Sequence, residues 1–181
     1  MMTITDQRGF TVAEVLIAAV IITLAFVALA TVVPISTYGV QEGNQVTTAS
    51  FLADQKLEQI RILPWTASPA NDCLGISASS TEAPTVPAGA SCTMGATTVA
   101  AGGTAPGLAD ESSTAITGFA GYSRNVRITD CGSAPGCFTP AITDSAMRLV
   151  TVTVTYTPLS ASAGAAAGPK SVLVQMVVTQ R

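Results

Sequence analysis

Histidine is missing from the 181 residues. Without imidazole there is no Ser-His-Asp or Cys-His catalytic set and no histidine metal ligand. Charge is scarce as well. Charged residues make up 10% of the chain, against roughly 25% in an average soluble protein. Aromatic residues reach only 5%. Eight basic residues stand against eleven acidic ones, and the pI is near 4.7. The basic surplus of a general nucleic-acid binder is therefore lacking. A Gly-rich phosphate loop, a catalytic carboxylate pair and an Asn-x-Ser/Thr acceptor are absent too. No enzyme chemistry and no cofactor are expected. What is abundant is apolar: 48% of the chain, mostly Ala and Val, with a mean hydropathy of +0.49. Much of it is concentrated at one end.

From Val15 to Gln41 no residue carries a charge. As a helix this stretch would span roughly 40 Å, enough to cross a hydrocarbon core about 30 Å thick. Arg8 and the amino terminus precede it, and the next basic residue is Lys56. The positive-inside rule then leaves the N-terminus in the cytoplasm and the rest outside. A plain signal anchor fits these facts. So does a secretory signal peptide, since Ala28-Leu29-Ala30 imitates a small-x-small cleavage site. Glu14 counts against both, because a carboxylate at the start of an apolar run is costly in a bilayer. It calls for a partner, and the expectation is that another subunit supplies it, not its own helix.

Arg8-Gly9-Phe10-Thr11-Val12-Ala13-Glu14 followed by an apolar helix resembles the prepilin N-terminal motif of type IV pilins and type II secretion pseudopilins. The resemblance implies cleavage between Gly9 and Phe10 by a membrane prepilin peptidase, with N-methylation of Phe10. A glycine before the cut suits a protease that needs an unhindered backbone there. Where the family usually has a bulky aliphatic pair before the glutamate, this chain has Val12-Ala13. In that family the glutamate at the position of Glu14 pairs with the cationic N-terminal amine of a neighbouring subunit. Opposite charges attract strongly in an apolar bundle, so the pairing would set the register of a filament.

Pro34, Gly39 and Gly43 are expected to interrupt the helix, Pro34 above all, since a mid-helix proline costs about 3 kcal/mol. By resemblance, a proline here marks a segment that bends or melts in a filament. The alternative is a loop just outside the membrane. From Gln41 the pattern turns amphipathic: Val46, Ala49, Ala53, Leu57 and Ile60 share one face. Lys56 and Glu58 are expected on the solvated side. Pro64 ends the pattern. Phe51–Arg61 resembles the corresponding helix of minor pilins of the PilV kind.

Residues 66–118 contain no aromatic residue and four charges. Such a stretch is expected to bury little; in pilins this is the variable region between helix and sheet. Four cysteines allow three pairings. An exported domain meets an oxidising compartment. Cys131–Cys137 is favoured across the turn-forming Gly132-Ser-Ala-Pro-Gly136, and Cys73–Cys92 follows by elimination and shared residence in the loop. A zinc site is disfavoured, because paired C-x-x-C knuckles are missing.

Tyr122–Thr129, Arg148–Tyr156 and Lys170–Thr179 alternate as strands do. Val150, Val152, Val154 and Tyr156 share one face; Val172, Val174, Met176 and Val178 would face the core. The linker Ser160–Gly168 reads as flexible. Arg124, Arg127 and Arg148 read either as a patch for DNA or a partner, or as scattered surface charge.

The fold class expected is α+β and pilin-like: a long N-terminal helix, transmembrane in its first half, packed on a small antiparallel sheet of three to four strands. The divisions expected are a leader 1–9, a transmembrane assembly helix 10–40, an amphipathic half 41–64, a variable loop region 65–118 and a C-terminal sheet 119–181. The function implied is a minor pilin, with a secretion pseudopilin or a membrane-anchored exported binding protein as alternatives. Its implied partners are other pilin subunits, prepilin peptidase and inner-membrane assembly machinery; nucleic acid is not expected. The implied location is the inner membrane before assembly, then a pilus, the cell surface or the periplasm.

Overall fold

The computed structural model describes residues 9–138, 140–158 and 168–181. The leader before Gly9 and the linker from Ser160 to Ala167 lie outside the described residues. The chain divides into two units, Met1–Gln41 and Glu42–Arg181. One helix, α1 (Val12–Arg61), contributes to both.

In the first unit α1 is apolar all round. Val15, Leu16, Ile17, Val20, Leu24 and Phe26 are each more than half exposed. A helix with no polar face belongs in lipid or among other helices, not in water. The Thr23 hydroxyl is satisfied internally, since Oγ1 donates to the carbonyls of Ala19 and Val20 at 2.9 and 2.8 Å. That is how a polar group survives in an apolar medium. The interruption expected at Pro34, Gly39 and Gly43 is not there, because α1 runs unbroken through all three positions. A proline removes one backbone bond, and the helical turns on either side hold the segment together.

The second unit is built around a three-stranded antiparallel sheet in the order β5-β6-β7. Its strands are β5 (Tyr122–Asp130), β6 (Met147–Tyr156) and β7 (Lys170–Thr179). Alternation puts Val126 and Ile128 of β5 with Val150, Val152, Val154 and Tyr156 of β6 into one buried cluster. The C-terminal part of α1 supplies the opposing side through Ala49, Leu52, Ala53, Leu57 and Ile60, all in the same cluster. Val46 is 40% exposed, since the core ends a turn short of it. On β7, Val172, Val174, Met176 and Val178 pack against the core only half-buried, as befits an edge strand.

The region expected to bury little corrects that expectation. Leu74, Pro84, Val86 and Leu108 are fully buried side chains. Four short strands organise it: β1 (Trp65–Thr66), β2 (Asn71–Asp72), β3 (Ser91–Met94) and β4 (Thr97–Ala100), paired β1 with β2 and β3 with β4. Between them the backbone satisfies itself: Ile76 and Thr85 exchange hydrogen bonds at 2.9 and 3.0 Å, and Val86 N donates to Gly103 O at 2.9 Å. Gly75 sits at φ +67, where a Cβ would lie 2.7 Å from Thr85 O, so this crossing admits only glycine. Isolated apolar side chains spaced by turns carry the burial, and no period announces them.

Candidate assembly site

The start of α1 closes on itself. Glu14 N donates to Thr11 Oγ1 at 3.2 Å, while Thr11 N donates to Glu14 Oε2 at 3.1 Å. Thr11 Oγ1 also donates to Glu14 Oε2, at 3.3 Å. This is a reciprocal capping box: the first helical N–H groups have no partner within the helix, and the Thr-x-x-Glu pair supplies one at each end. The carboxylate also sits in the first turn, where the helix dipole favours negative charge. Two corrections follow. The helix starts at Val12, not at Phe10, because Thr11 is its cap. Glu14 also finds donors on its own helix, contrary to the expectation that only another subunit could provide them. The sequence carried that signal, a threonine three residues before a glutamate at the head of an apolar run.

The partnership is one-sided. Only Oε2 is engaged; Oε1 accepts no hydrogen bond among the described residues. Gly9 and Phe10 precede the cap and are exposed, Phe10 by 85%. A Cβ built at Gly9 meets no atom of the described residues within 4 Å. Directly after the cap, Val12–Ala30 is long and apolar enough to cross a bilayer, with a mean hydropathy of 2.7.

Residues 4–30 match the family model for a prokaryotic N-terminal methylation motif. The chain is pilin-like, with a prepilin-type N-terminus. No curated protein and no solved structure matches it. The motif spans Gly9, Phe10 and Glu14 and runs into the apolar helix that begins at Val12.

The second unit is held by four cysteines and, among the described residues, three buried cations. Cys73 is bonded to Cys92 and Cys131 to Cys137. The first bond ties the residue after β2 to β3, where Asn71 also bridges to Thr93 N and O at 2.9 and 3.0 Å. The second closes the turn leaving β5.

Arg124, Arg127 and Arg148 are not scattered surface charge: the first and last are buried and each of the three meets an acid. Arg148 is buried and bidentate on Asp72, at 2.7 and 2.6 Å, with its guanidinium carbon 4.2 Å from the Trp65 ring centre. Arg124 is buried too, with Nε on Glu111 Oε2 and Nη1 on Leu52 O at 2.8 Å. Lys56, expected on the solvated face, is buried and donates to Glu111 Oε1 at 3.3 Å. Glu58 does lie exposed. Arg127 pairs with Asp110 at 2.7 and 2.9 Å. Arg124 and Arg148 share strand parity with the core-facing valines, the signal that reading them as surface charge passed over.

Burial pushes the Lys56 ammonium below its ordinary pKa, with Glu111 opposing the shift and the nearby Arg124 charge adding to it. At Glu111 burial works upward, but the hydrogen bond from Arg124 and the Lys56 and Arg124 charges outweigh it, and the net shift is downward. A carboxylate held between two cations keeps its charge at neutral pH, as a buried pair requires.

Proposed function

We propose that this chain is a structural subunit of a type IV pilus, a minor pilin, processed by prepilin peptidase between Gly9 and Phe10 and methylated on the Phe10 amine. The observation that carries the reading is the methylation motif set on an exposed apolar helix whose Glu14 has one oxygen without a hydrogen bond among the described residues. Until extraction the helix is stored in the inner membrane. Assembly machinery then exchanges its lipid contacts for contacts with other pilin helices.

Glu14 has two tasks in this scheme, and its two oxygens divide them. Oε2 stays on the Thr11 cap, and Oε1 accepts the methylated amine of Phe10 on an adjacent subunit. A secondary amine stays protonated, so the pair is ionic. Each subunit offers a carboxylate to one neighbour and an amine to another. That contact is heterologous and does not close, and such contacts build a fibre. The reading makes the protein a building block, not an enzyme. In the filament, Pro34 marks the segment expected to bend or melt.

Gly9 replaced by a bulky residue tests the processing step. The expected product is an uncut precursor retained in the membrane. Normal maturation of that variant would count against the motif. Sheared surface fibres should contain the wild-type chain; its confinement to the membrane fraction would favour an anchored exported protein.

A further inference from the structure

One buried donor in the second unit has no acceptor. The terminal nitrogens of Arg148 are engaged: Nη1 donates to Asp72 Oδ1 at 2.7 Å and to Gly75 O at 3.3 Å, and Nη2 to Asp72 Oδ2 at 2.6 Å. Nε is buried and has no hydrogen-bond partner among the described residues. Buried donors in folded proteins are paired, and where the chain supplies no acceptor a water or a ligand does.

Arg148 forms part of the wall of an open cavity of about 330 Å³, together with Trp65, Thr66, Pro87, Ser145 and Gln180. That volume is at the lower end of the range for small-molecule sites, about 300–1,000 Å³. Its polar groups are uncommitted. The Ser145 hydroxyl and the Gln180 side-chain amide make no hydrogen bond among the described residues, and Thr66 Oγ1, which donates to Pro69 O at 2.7 Å, can still accept. The walls are braced from both sides. Trp65 and Thr66 are paired with Asp72 and Asn71, next to the Cys73–Cys92 bond. Ser145 follows Asp144, whose N–H donates to Cys131 O at 3.2 Å, beside the Cys131–Cys137 bond. Gly132 lies so close that a Cβ there would be 2.6 Å from Ser145 Cα. Gln180 N donates to Ala146 O at 2.8 Å. A wall formed in advance loses little freedom on binding.

We infer that this cavity binds one ring of a neutral carbohydrate, with a sugar hydroxyl accepting from Arg148 Nε. Charge selects a neutral ligand. The Arg148 cation is matched by Asp72, which also lines the cavity, so an anion would be attracted by one and repelled by the other. The rest of the wall sets hydroxyl and amide groups beside the apolar bodies of Trp65 and Pro87. A pyranose has that same division, with hydroxyls that donate and accept around its edge and C–H groups on its faces. An extended peptide would need free backbone partners, and those at hand are used, Gln180 N on Ala146 O and Arg181 N on Trp65 O. The site uses no residue of the N-terminal motif and stands apart from the assembly proposed above.

Trp65 is the single tryptophan, so its emission reads occupancy. The full chain in polyoxyethylene detergent micelles, whose head groups carry no sugar, would be titrated with glucose, galactose, mannose and N-acetylglucosamine. At least one is expected to give a saturable change with a Kd of about 1 mM or below. The Arg148 Nε–H resonance of isotope-labelled protein should move with the same Kd. Ser145→Ala and Gln180→Ala should each weaken binding about 2- to 10-fold, at an unchanged denaturation midpoint. Ala70 is exposed on the same rim; Ala70→Phe fills the cavity and should abolish binding. No saturable change with any of these sugars would overturn the proposal. So would binding that survives Ala70→Phe, or an Arg148 resonance that stays in place while Trp65 responds. Inorganic phosphate or a short peptide binding more tightly than every sugar would assign the cavity to that ligand and overturn it too.

Discussion

Thr11 and Glu14 each satisfy the other's backbone N–H, so the residue proposed to pair with a neighbouring subunit also caps its own helix. The pairing engages one carboxylate oxygen at the helix start, and the second accepts no hydrogen bond among the described residues.

Separating these roles gives the first prediction. Glu14→Ala should still be cleaved after Gly9 yet fail to enter filaments. Thr11→Ala should cost the helix start about 0.5–2 kcal/mol and reduce incorporation less than Glu14→Ala does. Filament fractions probed beside membrane fractions would show both. Normal incorporation of Glu14→Ala would mean that the carboxylate sets no register.

Asp72 carries the second. It is buried, bidentate on Arg148, and its Oδ1 also accepts from Gly75 N at 2.9 Å. Asp72→Ala would leave a buried guanidinium uncompensated, a loss of about 3–5 kcal/mol. Trp65 is the single tryptophan and lies against that guanidinium. Its emission should report both the disturbance and a lower denaturation midpoint. An unchanged midpoint would show that the pair contributes nothing net.

Glu111 sets the pH dependence. Its folded pKa lies below the usual carboxylate value, so the folded state binds its proton less readily than the unfolded one. The stabilisation is fully present above the unfolded pKa and is lost as pH falls through the folded pKa. Denaturation midpoints should therefore decline in acid, and Glu111→Gln should flatten that decline while lowering the midpoint at neutral pH. An equally steep acid limb in the variant would assign the decline to other carboxylates.

The two disulfides should differ in weight. Their sequence separations are 19 and 6 residues. Loop-closure entropy then gives about 3 kcal/mol for Cys73–Cys92 and about 2 kcal/mol for Cys131–Cys137. Paired serine variants compared by denaturation would test the order. A larger loss from the Cys131–Cys137 pair would mean that local packing outweighs chain entropy.

How far the sequence could be read depended on whether a segment repeats. The apolar run after Glu14, the alternation of Val150, Val152 and Val154 and the spacing of Ala49, Ala53, Leu57 and Ile60 are periodic, and each became the element its period implies. Leu74, Val86 and Leu108 are buried one at a time between turns, so the composition of their region concealed them. Arg124, Arg148 and Lys56 misled for a different reason. A charge normally marks a surface, but these three are buried because an acid from a distant part of the chain meets each one. Those acids, Asp72 and Glu111, sit in the loop region that composition marked as featureless. At the N-terminus the signal was local, and the methylation motif could be read from the residues around Gly9, Phe10 and Glu14; the Thr11 cap was equally local and was passed over.

The most direct measurement is the intact mass of the protein purified from its native membrane. The expected mass is that of a chain starting at Phe10 and carrying one added methyl group. A chain starting at Thr31 would make the helix a discarded signal peptide and take Glu14 out of any role. A full-length chain from a host that possesses the peptidase would contradict processing at Gly9 and leave the helix a plain anchor.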